Sequence, residues 1–98
     1  MEAWCEKIIE VVESLGNSFN SHLVIKELAH KNQRLYVQAL AAINTDTPFQ
    51  QLHASLGKQI KAVCESLGFT REDSRSADLF GQESLCQRYI RSTQRPPY

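Results

Sequence analysis

The sequence predicts a mainly α fold: a compact orthogonal domain of four or five helices, with a possible small C-terminal hairpin. Three observations predict it. Residues Thr47 to Phe69 read as one amphipathic helix with both ends marked. Trp4, Ile8 and Leu15 form a second helical stripe, which Gly16 closes. Between Val24 and Ile43, apolar residues recur at spacings of three and four, which stacks them on one side of a helix.

The first helix is expected over Glu2 to Leu15, with Trp4, Ile8, Val11 or Val12, and Leu15 inward. Glutamates cover its outer face and suit the positive end of the helix dipole. Gly16-Asn17-Ser18 connects it to a second helix starting near Asn20 or Ser21. Asn20 is the candidate cap there, with Phe19 and Val24 placed as a hydrophobic staple. Val24, Ile25, Leu28 and Ala29 form the buried face of this helix. The polar run His30-Lys31-Asn32-Gln33 breaks the pattern, and Asn32 is a residue type that adopts the left-handed conformation at helix ends. A third helix comes next, with Leu35, Tyr36, Ala39, Leu40 and Ile43 inward. One long bent helix over 21–43 is the alternative, since no Gly or Pro interrupts it.

The Thr47–Phe69 helix is the expected spine. Thr47 is its N-cap, Pro48 suits the first helical position, and Thr47 with Gln50 forms a capping-box pattern. Phe49, Leu52, Leu56, Ile60, Val63 and Leu67 form the apolar face. Gly68 supplies the left-handed stop, with Phe69 folding back onto Cys64 or Val63. At 1.5 Å per residue such a helix spans about 30 Å. Gly57 in its middle costs about 1 kcal/mol relative to Ala, which suggests close approach of a neighbouring helix. Thr70 to Asp78 is polar, mixed in charge and aperiodic, and reads as a loop. For Ser84 to Ile90 a short helix is favoured through the Ser84–Gln87 capping pattern, with a β-hairpin as the alternative. The expected organisation is one domain over 1–92 and a flexible tail over 93–98. Its core should hold Trp4, Ile8, Val24, Ile25, Leu28, Leu35, Leu40, Ile43, Leu52, Leu56, Ile60, Val63 and Phe80.

Composition bounds the function classes. A hydrophobic share of 42% with 22% charged residues is that of an ordinary globular chain, and no apolar run is long enough for a membrane span. The acidic start Met1-Glu2-Ala3-Trp4-Cys5-Glu6 is unlike a secretory or transit peptide, which predicts a cytoplasmic protein. Cys5, Cys64 and Cys86 are odd in number and widely spaced, so reduced thiols packing as small hydrophobes are expected. No Cys-x-x-Cys, His-x-x-x-His or Gly-rich phosphate loop occurs, and no catalytic residue, metal or cofactor is expected; the chain reads as a non-enzyme. His53 reads as a hydrogen-bonded histidine at the core edge.

Three surface constellations carry functional readings. Val37, Ala41 and Ala42 lie roughly opposite the Leu35–Leu40–Ile43 stripe, so that helix is apolar on two sides. A protein-interaction module through this face, with another protein or as a homodimer, is the leading expectation. The alternative is a helix-turn-helix DNA-binding regulator in which Ser21–Lys31 supports Gln33–Ile43, and Gln33, Arg34 and Gln38 face the duplex. A net charge of zero weighs against it, because DNA affinity rests largely on phosphate contacts. The third constellation is Arg71, Ser74 and Arg75, whose cations and hydroxyl suit an anion or a partner's carboxylates. Pro96-Pro97-Tyr98 lacks the spacer of the usual proline motif.

Three pieces in order carry a resemblance. They are Phe19-Asn20-Ser21-His22-Leu23-Val24-Ile25 with Asn32-Gln33-Arg34-Leu35-Tyr36-Val37; Pro48-Phe49-Gln50-Gln51-Leu52-His53; and Asp78-Leu79-Phe80-Gly81-Gln82 with Ser84-Leu85-Cys86. The order resembles small bacterial proteins of unassigned function. That resemblance implies a bacterial source, a self-contained domain and an ordered, docked C-terminal segment with Cys86 packed. It brings no site residues.

Overall fold

The computed structural model describes residues 3–78 and 80–91. Its elements run α1 (Ala3–Ser14), β1 (Ser18–Asn20), α2 (Ser21–Lys31), α3 (Gln33–Ala42), α4 (Pro48–Ser66), β2 (Phe69–Ala77) and β3 (Glu83–Arg91). The strands form one antiparallel sheet in the order β1-β3-β2. The fold is therefore α+β, which corrects the mainly α expectation. The favoured short helix over 84–90 is instead strand β3, and the expected loop over 70–78 is largely strand β2. The expected tail, 93–98, lies outside the described residues.

Helices α1, α2 and α4 follow the predicted apolar stripes, except that Phe49 at the start of α4 is exposed; on α3 only Tyr36 is buried. Val24, Ile25 and Leu28 of α2, Trp4, Ile8, Val11 and Val12 of α1, and Leu52, Leu56, Ile60 and Val63 of α4 are buried in one core. Helix α4 is the spine, packing on α1, α2, α3 and β2. Residues 21–43 form two helices rather than one. Asn32 joins them at φ −132°, not in the left-handed region, and its backbone N–H and side-chain amide both donate to the Leu28 carbonyl. Asn20 caps α2 as expected, accepting from the Leu23 N–H at 2.8 Å. Thr47 occupies the N-cap position of α4 without a side-chain cap bond, so the Thr47–Gln50 box does not close. At the other end Gly68 takes φ 89°, and its N–H donates to the Glu65 carbonyl. Only glycine enters that conformation cheaply, which is why the helix stops there and the chain turns into β2.

The sheet is fastened to the core by three aromatics. Phe19 of β1, buried in the same core as Val24, pairs with Tyr89 of β3, and its ring meets Phe69 edge-on at 5.1 Å. All three are buried. Beyond this anchor the β2–β3 hairpin runs out with most of β2 exposed. Its connection is held by Asp78, whose Oδ1 accepts the N–H groups of Phe80 and Gln82, both at 2.9 Å. Phe80, expected in the core, is 57% exposed in this turn. Leu35, Leu40 and Ile43 are only partly buried, against the core rather than in it. Gly57 marks no close helix approach: a Cβ built there meets nothing within 4 Å. Among the described residues no helix is long and apolar enough to cross a membrane.

Candidate functional site

Two adjoining concave regions lie along α4. The larger is a groove of about 530 Å³ between the N-terminal turn of α2, the first half of α4 and the hairpin connection. Phe80 reaches across it to α4, meeting Phe49 edge-on at 4.9 Å and lying stacked over His53 at 6.4 Å between ring centroids. The Tyr36 hydroxyl and His53 Nε2 share a hydrogen bond of 2.6 Å, which ties α3 to α4 beneath the groove. Burial lowers the His53 pKa, partly offset by the Asp78 carboxylate and reinforced by His22. Burial also raises that of Tyr36. Both partners are thus neutral at pH 7, and His53 is the bonded core-edge histidine the sequence suggested. On the opposite wall His22 joins helix to hairpin, its Nδ1 lying 3.0 Å from Ser76 Oγ and its Nε2 3.4 Å from Ser84 Oγ.

The lowered His53 pKa makes stability depend on pH. The unfolded chain binds a proton at the ordinary imidazole pKa, and the folded chain only at lower pH. Between those values the unfolded state holds more protons, so stability falls as pH drops through that window. The melting temperature is expected to decline on acidification from about pH 7 to 5, where an unperturbed imidazole titrates. His53→Gln, which keeps a partner for Tyr36 but does not titrate, should flatten that decline. An unchanged slope in the variant would remove His53 as its source.

The smaller cleft adjoins the groove along α4, the two sharing Ser21, Ala54, Gly57 and Leu85, and in it Lys58 and Lys61 share walls with Arg71 of β2 and with Tyr89. Ion pairs among the described residues are Lys31–Glu27 at 3.6 Å and Arg88–Glu72 at 3.5 Å. Asp73 Oδ1 accepts from the Gln87 side chain at 3.0 Å. The carboxylates on β2 are therefore occupied, while Lys58, Lys61, Arg71 and Arg75 have no ion-pair partner among the described residues. The exposed face of α4 runs Gln51, Ala54, Lys58, Lys61 and Glu65 at helical spacing. The two lysines therefore stand on the solvent side of the spine.

The sequence-derived candidates distribute differently. Val37, Ala41 and Ala42 are all exposed on α3, as are Gln33, Arg34 and Gln38. α3 packs on α2 and α4. Arg71, Ser74 and Arg75 do not form one cluster. Arg71 pairs across the ladder with Tyr89 and Arg75 with Leu85, while Ser74 pairs with Cys86 on the other face. Two residues four apart in a strand stand about 13 Å apart, so the arginines share a face without converging. Cys64 is buried and its thiol is pushed up to about 11, and Cys86 is also buried, which fits their role as packing groups. No group of three His, Cys, Asp or Glu able to hold a metal occurs among the described residues. Sequence reasoning misses Lys58 and Lys61, although their spacing and solvent-facing position are readable from the α4 stripe. Comparison with protein-family models, curated proteins and solved structures finds no match to this chain.

Proposed function

We propose that the chain is a nucleic-acid-binding domain of the helix-turn-helix class in which the β2–β3 hairpin acts as a wing beside α4. The observation that carries this reading is the convergence of Lys58, Lys61 and Arg71 on one cleft between the spine helix and the hairpin. The order of elements supports it: a three-residue strand after the first helix, paired on the outside of a C-terminal hairpin that comes after the last helix. The helices packed on the hairpin are α2, against β3, and α4, against β2. The helix pair that precedes the hairpin in the chain is α3 and α4, joined by residues 43–47, rather than α2 and α3 as the sequence suggested. In this reading Gln51 reaches base edges, where an amide bonds, and Lys58, Lys61, Arg71 and Arg75 meet phosphates. Neutral overall charge does not oppose it, because the field at the interface is set by local cations rather than the sum over the chain.

The test is fluorescence anisotropy of a labelled random duplex over a salt series. Four phosphate-directed cations should give a log–log salt slope of roughly −3 to −4, at about 0.9 per contact. Absence of binding at low salt would overturn the reading.

A second reading is favoured by Val37, 60% exposed on α3 with Ala41 and Ala42 exposed beside it. An aliphatic patch there fits a second copy of the chain. Light scattering should then report a dimer that Val37→Glu converts to a monomer with unchanged helical circular dichroism. A wild-type monomer at high concentration would dispose of it.

A further inference from the structure

We propose that the groove between α2, α4 and the hairpin connection binds a small aromatic cation, a planar ring bearing an ammonium or amidinium group. The proposal stands independently of the nucleic-acid reading. The groove's volume of about 530 Å³ lies within the range of small-molecule sites. Phe49 and Phe80, two of the exposed large apolar side chains, both line it and meet edge-to-face, leaving ring surface turned to solvent inside a concavity. Apolar side chains scattered singly over a surface need no explanation, but two rings gathered at the mouth of one groove do.

Charge selects the occupant. Among the described residues the lining includes Asp46 and Asp78 and no lysine or arginine. Lys58, Lys61 and Arg71 line the adjoining cleft, which meets the groove at Ser21, Ala54, Gly57 and Leu85, away from Asp46 and Asp78 in the lining. Asp78 uses Oδ1 for the turn, and among the described residues its second oxygen is not engaged. His53, held neutral, adds no opposing cation. The N-terminal turns of α2 and α4 do face the groove, and each contributes about half a positive charge. Two full carboxylates outweigh them, and the aromatic faces add their own attraction for a cation within about 6 Å of a ring. Gly57 lines the groove as well, which gives the mid-helix glycine a place: it leaves the α4 surface bare where a ring would lie.

Isothermal titration of the full chain with benzamidine, neutral benzamide and anionic benzoate tests this. Benzamidine should bind saturably at one site, benzamide about tenfold more weakly, a difference worth one charge interaction near the surface, and benzoate not at all. Phe80→Ala, at an exposed turn position, should weaken benzamidine about tenfold. Asp46→Asn should erase the preference for benzamidine over benzamide. Circular dichroism establishes that both variants are folded. The proposal is overturned if benzamidine shows no saturable binding up to its solubility limit. Equal or tighter binding of benzamide or benzoate, or insensitivity to both substitutions, overturns it as well.

Discussion

Replacing Leu56 with alanine should lower the unfolding free energy by about 2–5 kcal/mol, the range for deleting a fully buried leucine. Leu56 is 0% exposed at the middle of α4, the helix that touches every other helix and β2. Neighbours from several elements would have to shift together to fill the void, so collapse is poor and the upper part of the range is favoured. A domain of this size holds about 5–15 kcal/mol in all. At about 4–8 °C per kcal/mol the melting temperature should fall by at least about 10 °C. Leu85→Ala is the matched control: the same chemical change at a position 69% exposed on the hairpin. It should stay within about 0.5 kcal/mol of wild type. If Leu56→Ala melts like Leu85→Ala, the buried face of α4 has been assigned to the wrong side.

The same contrast between buried and exposed positions decides which elements are legible in the sequence. α1, α2 and α4 each bury one side and expose the other, so their apolar residues recur at three and four and can be read directly. β2 exposes both faces for most of its length, so Thr70 to Ala77 shows no alternation and resembles a loop. The sheet is held instead by Phe19, Phe69 and Tyr89, one aromatic per strand, fifty and twenty residues apart in the chain. No local window contains that pattern. The Gly68-Phe69 stop of α4 is legible, but a helix stop carries no information about the type of the next element. For the sites, Arg71 and Arg75 are visible as a charge cluster, yet strand geometry separates them from Ser74. The groove depends on the turn at Asp78 folding Phe80 back toward Phe49, a contact between residues thirty-one apart. His22 likewise meets Ser76 and Ser84 only through the docking of α2 on the hairpin.

Reversing Lys58 and Lys61 to glutamate together should abolish duplex binding at moderate salt while leaving the fold intact. Both side chains are exposed on α4 and form no ion pair among the described residues, so neither substitution removes a structural bond. Each reversal replaces an attractive phosphate contact by a repulsive one. Two lost contacts reduce the salt slope by about 2, at roughly 0.9 per phosphate. With two charges reversed, the loss in affinity should exceed tenfold at low salt and narrow as salt rises, because screening weakens the repulsion as well. Lys7→Glu with Arg34→Glu is the charge-matched control: the same change in net charge at two positions that neither line the α4–hairpin cleft nor form an ion pair among the described residues. If duplex binding depended only on total charge, both pairs would weaken it equally. A larger effect at 58 and 61 locates the interface on α4, and an equal one removes α4 from it. Arg71→Ala should then act in the same direction as the lysine pair, by about one contact in the salt slope, since its guanidinium shares their cleft.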